Sequence, residues 1–334
     1  MSDLFMRLLA NQHSGTPMAN DHFVAQTYLK HWNYPATEML YGYSKAVDKE
    51  FPCRTKDVCR EWNWDINPRF KDNPGLLADF KKMFEPHWKP TVGAIRKGPL
   101  SGHEKFALAG YWAQLTTSTP AWHRNAIELY EKQIVDFIPL VAKHVADKFP
   151  EHREYIAKAI AEDRIKPNVD SDYVKGILTA HLTEATIVLY ELDWIVINNQ
   201  TEVPFITSDN PSCVLPNRPM GAPLVRFLPL APDLAVLAVI DRRKLKNDTA
   251  LPDLSKRPPG VIRRALITRK RVAKFNRIVA MNADELILCS KKDHHVRRWV
   301  HNHRKFGVVV DHVKIPTPDG GHISGSTLVV RQKN

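Results

Sequence analysis

The chain has 334 residues, 43 % apolar and 25 % charged, with four cysteines, proportions that exclude a disordered, collagen-like or disulfide-stapled protein. Its length exceeds the roughly 250–300 residues at which one core stops growing, so it suits one large domain or two intimately packed subdomains. The net charge of +12 sits entirely at one end: from residue 241 onward there are 22 Lys/Arg and 8 Asp/Glu (net +14), against 26 and 28 before it (net −2).

That asymmetry points the basic C-terminal third toward an anionic partner, nucleic acid before membrane, with a merely solvating surface as the alternative. No run approaches the ~18 apolar residues of a membrane helix, and "MSDLFMRLLANQHSG" lacks a basic segment followed by an apolar one and a cleavage site. A cytoplasmic protein without membrane contact is expected. Cys53, Cys59, Cys213 and Cys289 are scattered, and Cys53-x5-Cys59 matches no usual zinc or redox spacing, so reduced thiols are expected.

In chain order, residues 1–18 are polar with one short apolar patch and read as a flexible arm. "NDHFVAQTYLKHW" reads as a helix capped by Asn20 or Asp21, with Ala25, Leu29 and Trp32 at helical spacing; His22 and Gln26, four apart, then share a face. Residues 33–75 carry Asn-Pro and Phe-Pro breaks and read as loops with short strands, held to a core by aromatics such as Trp62 and Trp64. About five helices follow between 75 and 193, among them "GLLADFKKMFEPHW" and "GHEKFALAGYWAQLTT".

After 193 the period changes to that of strands. "WIVINNQTEVPFIT" reads as two runs joined by a hairpin at Asn198-Asn199-Gln200, and "VRFLPLAPDLAVLAVI" as two more across a proline-containing turn. "ELILCS", "FGVVVDHVKI" and "STLVVRQ" supply later strands, interrupted by helices over about 268–282 and 292–304. The expected fold is α+β: a helical lobe packed on a mixed or antiparallel sheet formed mainly by the C-terminal half, with 19–193 and 194–334 as subdomains of one intimately packed unit.

Several residues carry chemistry. His22 suits a general acid/base, Gln26 an orienting amide, and the corner Ser208-Asp209-Asn210-Pro211 sets an acid beside an amide at a strand end, where a plain Asx-turn is the competing reading. Ser208 lacks the Gly-x-Ser-x-Gly setting of a nucleophile. "TRKRVAKFNRIVAMN" puts Val272, Phe275 and Val279 on one helix face and Lys270, Lys274 and Arg277 on the other, where they suit phosphates or solvent. Asn276 falls beside the apolar face, as a hydrogen-bonding hub or a site residue. His294, His295, His301 and His303 lie close together, but without a Glu-x-x-His or Cys pattern they read as a basic surface helix rather than a metal site.

Together "HFVAQTYLKHW", "PFITSDNP", "LPLAPDLAVLAV" and "FNRIVAMNADELILCS" resemble motifs of a bacterial family known as domain of unknown function 4238, over roughly residues 20–290. The family's glutamine is matched by Gln114 and its acid by Glu85, while Thr117 stands near the position of an arginine in many members. The resemblance implies that His22, Gln26, Glu85, Gln114, Asp209, Asn210 and Asn276 gather from distant elements into one site. The expected function is a hydrolase on nucleic acid, a nuclease or phosphodiesterase, in bacterial defence or a toxin system. In it His22, Gln26, Glu85, Asp209 and Asn210 would be catalytic, and Gln114, Lys270, Lys274, Asn276 and Arg277 would bind substrate, with Mg²⁺ or Mn²⁺ as the divalent metal such chemistry takes. The alternative is a non-catalytic nucleic-acid-binding or regulatory interaction protein.

Overall fold

The first apolar residues after Asp21 do not extend a helix backward, because the backbone around them is claimed by a strand. In the computed structural model, which describes residues 20–35, 37–162, 164–215, 224–240, 260–316 and 322–333, β1 (Asn20–His22) pairs antiparallel with β4 (Arg60–Trp62). The Phe23 amide then donates to the Cys59 carbonyl at 3.0 Å. Only after the extended Ala25 does a short helix α1 (Gln26–Leu29) begin, continued by a 3-10 turn to Trp32. The shared helical face expected for His22 and Gln26 is therefore corrected, and neither Asn20 nor Asp21 is a cap. The arm expected over residues 1–18 lies outside the described residues.

Between β1 and β4 run β2 (Met39–Ser44) and β3 (Lys49–Arg54), a hairpin. Trp64 meets Phe23 edge-on at 6.0 Å, as its expected anchoring role requires, whereas Trp62 is 67 % exposed.

Six helices fill the next stretch: α2 (Leu76–Lys97), α3 (Gly102–Thr117), α4 (Pro120–Lys148), α5 (Arg153–Ala161), α6 (Ser171–Ala180) and α7 (Leu182–Glu191). Their starts follow local chemistry. Ser101 and Glu104 form a reciprocal capping box at α3, Thr119 caps α4 with Pro120 in its first turn, and Asp170 caps α6. α2 and α3 pack as an antiparallel pair so close that a Cβ added at Gly110 would sit 2.2 Å from the Phe84 ring, which only glycine permits.

The strand-rich half comprises β5 (Asp193–Asn198), β6 (Thr207–Ser208), β7 (Cys213–Val214), β8 (Leu224–Ala231), β9 (Leu234–Ile240) and β10 (Ile262–Leu266), then α8 (Arg269–Asn282), β11 (Leu286–Cys289), α9 (His294–His303), β12 (Phe306–Pro316) and β13 (His322–Gln332). One sheet has the order β10-β5-β9-β8-β7, with β10 parallel to β5 and its other neighbours antiparallel. A second, antiparallel throughout, runs β3-β2-β11-β6. The fold is α+β with mixed and antiparallel sheets.

The hairpin expected at Asn198-Asn199-Gln200 is absent. β5 pairs with β9 and β10, and β6 with β11, so the two runs enter different sheets. Asn199 instead turns the chain by donating to the carbonyls of Val203 (2.7 Å) and Pro232 (3.3 Å).

One continuous core draws on both halves, with Tyr28, Trp32, Trp88, Tyr111, Trp112, Trp194, Phe205 and Phe227 all fully buried. Lys45, at the end of β2, is buried to 3 % exposure and donates to the carbonyls of Ala280, Ala283 and Phe306. It thus satisfies the C-terminal carbonyls of α8 from across the second sheet. Burial draws its pKa down to about 8. The four cysteines are buried free thiols.

Candidate functional site

The Ser208–Pro211 corner ends β6, and its polar atoms are directed at backbone. Asp209 accepts the amides of Asp284 (2.9 Å), Glu285 (2.8 Å) and Leu286 (2.9 Å), so both carboxylate oxygens are bonded. Burial and the neighbouring Asp284 carboxylate raise its pKa to about 6, against the opposing pull of those amides. Asn210 donates to the Asn282 carbonyl at 3.0 Å and accepts from the Thr119 hydroxyl at 3.3 Å, tying α8 to the cap of α4. The one local side-chain bond of the corner runs from the Asn210 backbone amide to the Ser208 hydroxyl at 3.2 Å, and the Asp209 and Asn210 side chains reach distant segments, so the Asx-turn reading is corrected.

Asn276 behaves alike. Fully buried on α8, it accepts from the Ile206 amide (3.2 Å) and donates to the Pro204 carbonyl (2.8 Å). Asn282, six residues on, does the same for the amide and carbonyl of Val214 (2.8 and 2.9 Å). The two amides clamp the chain on either side of the corner to one helix. Asn282 was not among the residues singled out from sequence, although "FNRIVAMN" sets it beside Asn276 in the same segment.

A second polar group lies between α1, α2 and α3, and its side chains are less fully engaged. Tyr111 of α3 stacks on Trp88 of α2 with ring centres 4.2 Å apart and bonds Thr27 of α1 at 2.7 Å. Three residues back along α2 and three forward along α3 from that stack stand Glu85 and Gln114, on the two facing helices. Gln114 is fully buried, and both its amide oxygen and nitrogen lack a hydrogen-bond partner. Burial raises the pKa of Glu85, with the Lys81 charge pulling it down and Asp65 pushing it up.

Lys81, one turn before Glu85, is ion-paired with Asp65 and donates to the His22 carbonyl at 2.7 Å. His22 therefore meets this group through its backbone. Its imidazole faces the Thr55 and Lys56 backbone, Nε2 is buried without a partner, and burial lowers its pKa. Gln26 is half-buried at the start of α1, next to Thr27. Lys81, Asp65, Tyr111 and Thr27 were not singled out from sequence. The four-residue spacing of Lys81 and Glu85 on one helix was the available signal.

The predicted set thus divides. Glu85 and Gln114 stand on the facing helices α2 and α3, with the His22 backbone bonded to Lys81 of α2 and Gln26 next to Thr27. Asp209, Asn210 and Asn276 belong to a separate network around α8. The charges acting on Glu85 are Lys81 and Asp65, whereas Asp284 acts on Asp209, so the two carboxyls have different charged neighbours.

Lys270, Lys274 and Arg277 are exposed on α8, opposite buried Val272 and Val279, with Phe275 stacked on Phe227 at 4.5 Å. On α9, His301 pairs with Asp48 at 2.9 Å and His294 packs against His295. Among the described residues no group of three or more His, Cys, Asp or Glu side chains is placed to hold a metal ion. No helix there is long and apolar enough to cross a membrane.

No curated protein and no solved structure matches the chain. A family model described as "Protein of unknown function (DUF4238)" matches residues 20–293, which include both polar groups and the basic face of α8. The chain belongs to the DUF4238 family.

Proposed function

We propose that the chain is a hydrolase acting on nucleic acid, a nuclease or phosphodiesterase, with its reactive groups between α1, α2 and α3 rather than at the Ser208–Pro211 corner. The supporting observations are a carboxyl on α2, Glu85, that burial makes more basic, and an amide on the facing helix α3, Gln114, with an unbonded donor and an unbonded acceptor. Raising a carboxyl's pKa toward neutrality suits it to proton transfer at physiological pH. An unbonded buried amide costs stability unless something else completes it, and a substrate group would.

In this reading Glu85 exchanges the proton, Gln114 and Gln26 orient the substrate, and Lys81 fixes the His22 segment. Lys270, Lys274 and Arg277 hold phosphates away from the reacting bond. Asp209, Asn210 and Asn276 build the scaffold.

Purified chain incubated with end-labelled RNA, single-stranded DNA and duplex DNA, in Mg²⁺, Mn²⁺ or EDTA, tests it. Cleavage is expected from the wild type, reduced about 10²-fold or more in Glu85→Gln with the fold intact. Equal rates from the two proteins, or no cleavage of any substrate, would remove the reading.

A second reading, a non-catalytic nucleic-acid-binding or regulatory protein, is favoured by the full engagement of Asp209, Asn210 and Asn276 with backbone and the Thr119 hydroxyl. It requires salt-sensitive binding that Glu85→Gln leaves unchanged.

A further inference from the structure

The longest helix, α4, has an apolar face whose covering stops midway. Near its N-terminal half Trp122, Ala126, Leu129 and Tyr130 line a groove of about 140 Å³ against Val310 and Leu328 of the β12–β13 hairpin. Beyond Tyr130 the same face continues as Ile134, Phe137, Leu140 and Val141, which are 41, 60, 65 and 56 % exposed. α5 does not cover them. It packs on the opposite side of the helix, where Ala142, Ala146 and its own Ala159 are buried. A run of large apolar side chains at helical spacing, left in water on one face, is the mark of an association surface.

The charges beside that stripe indicate what covers it. Lys132, Asp136, Lys143 and Asp147 fall on one flank, within a strip roughly 60° wide at 100° per residue. Lys132 and Asp147 are equidistant from the midpoint between Pro139 and Leu140, and so are Asp136 and Lys143. Laid antiparallel on an identical helix about that midpoint, every lysine on the flank meets an aspartate of the other copy, and every aspartate a lysine. In a parallel pair this flank would face the opposite side of the partner helix and its lysines and aspartates would not meet one another. An anionic lipid surface would meet both aspartates beside the stripe it had to bury.

We infer that the second half of α4 is a two-fold interface at which two copies of this chain associate antiparallel, burying Ile134, Phe137, Leu140 and Val141 beside a row of Lys–Asp pairs. An interface related by a two-fold axis must be self-complementary, and this flank is. Within the chain Lys132 also reaches Glu128, and Asp147 reaches Arg153 at 3.4 Å. These exposed pairs hold little energy alone, and a facing helix extends them into a ladder. The hairpin-lined groove adjoins the stripe, so the interface continues a surface already half apolar.

Sedimentation velocity of the full chain from about 1 to 100 µM tests the inference. Wild type is expected to dimerise with rising concentration, and Leu140→Glu, at a solvent-exposed position, to remain monomeric with an unchanged far-UV spectrum. Two charge variants, Asp136→Lys with Asp147→Lys and Lys132→Asp with Lys143→Asp, are each expected to lose at least tenfold in self-association and to recover it when mixed. Leu140→Cys is expected to cross-link to itself on mild oxidation, the native thiols being buried. A wild type that stays monomeric at 100 µM overturns the inference. So does a dimer that survives Leu140→Glu, mixed variants that stay apart, or a monomer whose Leu140 is needed to float with vesicles of phosphatidylcholine and phosphatidylserine.

Discussion

Asp209 and Leu286 are bonded to each other twice: the Asp209 amide donates to the Leu286 carbonyl at 3.0 Å, and the Leu286 amide donates to the Asp209 carboxylate at 2.9 Å. With the amides of Asp284 and Glu285 on the same carboxylate, Asp209 fixes the entry of β11 beside β6. Replacing it by alanine leaves three amides without their acceptor, and a loss of roughly 2–4 kcal/mol is expected in urea unfolding.

The same carboxyl imposes a pH signature. Its pKa is raised to about 6 in the folded chain, above the unfolded value, so its contribution is fully present below the unfolded pKa and lost as pH rises through 6. Between about pH 4 and 7 the stability of wild type relative to Asp209→Asn should fall by on the order of 3 kcal/mol. Denaturant melts of both proteins across that range give the difference, and a flat difference rejects the assignment.

Gln114 is expected to give the opposite result. Both its amide atoms are buried without partners, so Gln114→Leu removes an uncompensated polar group at nearly constant volume. A gain of about 1–2 kcal/mol is expected by thermal or urea unfolding. Under the hydrolase proposal the stabilised variant loses activity, a trade between stability and function that a purely structural glutamine would not show.

Asn276→Ala and Asn282→Ala should each be destabilising by about 2–3 kcal/mol, because each leaves one backbone amide and one carbonyl of the 204–214 segment unpaired in the core. The two sites share one helix and one clamped segment, so the double variant should fall short of additivity.

Lys270→Glu, Lys274→Glu and Arg277→Glu together should leave the melting temperature within a few degrees, since all three side chains are exposed. Filter binding to duplex DNA or RNA is where they should act. Weaker binding is expected, with the salt slope shallower by about 2–3 if each residue meets one phosphate.

Local chemistry made much of the fold readable in advance. The Ser101–Glu104 box, the Thr119-Pro120 start and the long periodic runs mark α3 and α4 without reference to the rest of the chain. The misread elements depend on distant partners. β5 takes a parallel neighbour, β10, from some 65 residues later, and nothing near Asn198 signals it. The spacing of Ala25, Leu29 and Trp32 invited an earlier helix start, which the pairing of β1 with β4 overrides. At the site, residue type was legible but engagement was not. Asp209 and Asn276 look as reactive in the sequence as Glu85 and Gln114. The backbone groups brought to them from residues 284–286 and 204–206 set Asp209 and Asn276 apart from Gln114, whose amide is unbonded.

The pairing of β2 with β11 joins residues 39–44 to residues 286–289. On a ribosome adding about 5–20 residues per second, β2 emerges roughly 12–50 s before its partner exists. Throughout that interval the β2–β3 hairpin exposes an unpaired edge, and Lys45 lacks the helix end it later serves. The nascent chain therefore has a built-in period of vulnerability to sticking and proteolysis. A truncated product ending before residue 286 should be recovered with chaperones or in inclusion bodies rather than as a folded N-terminal fragment.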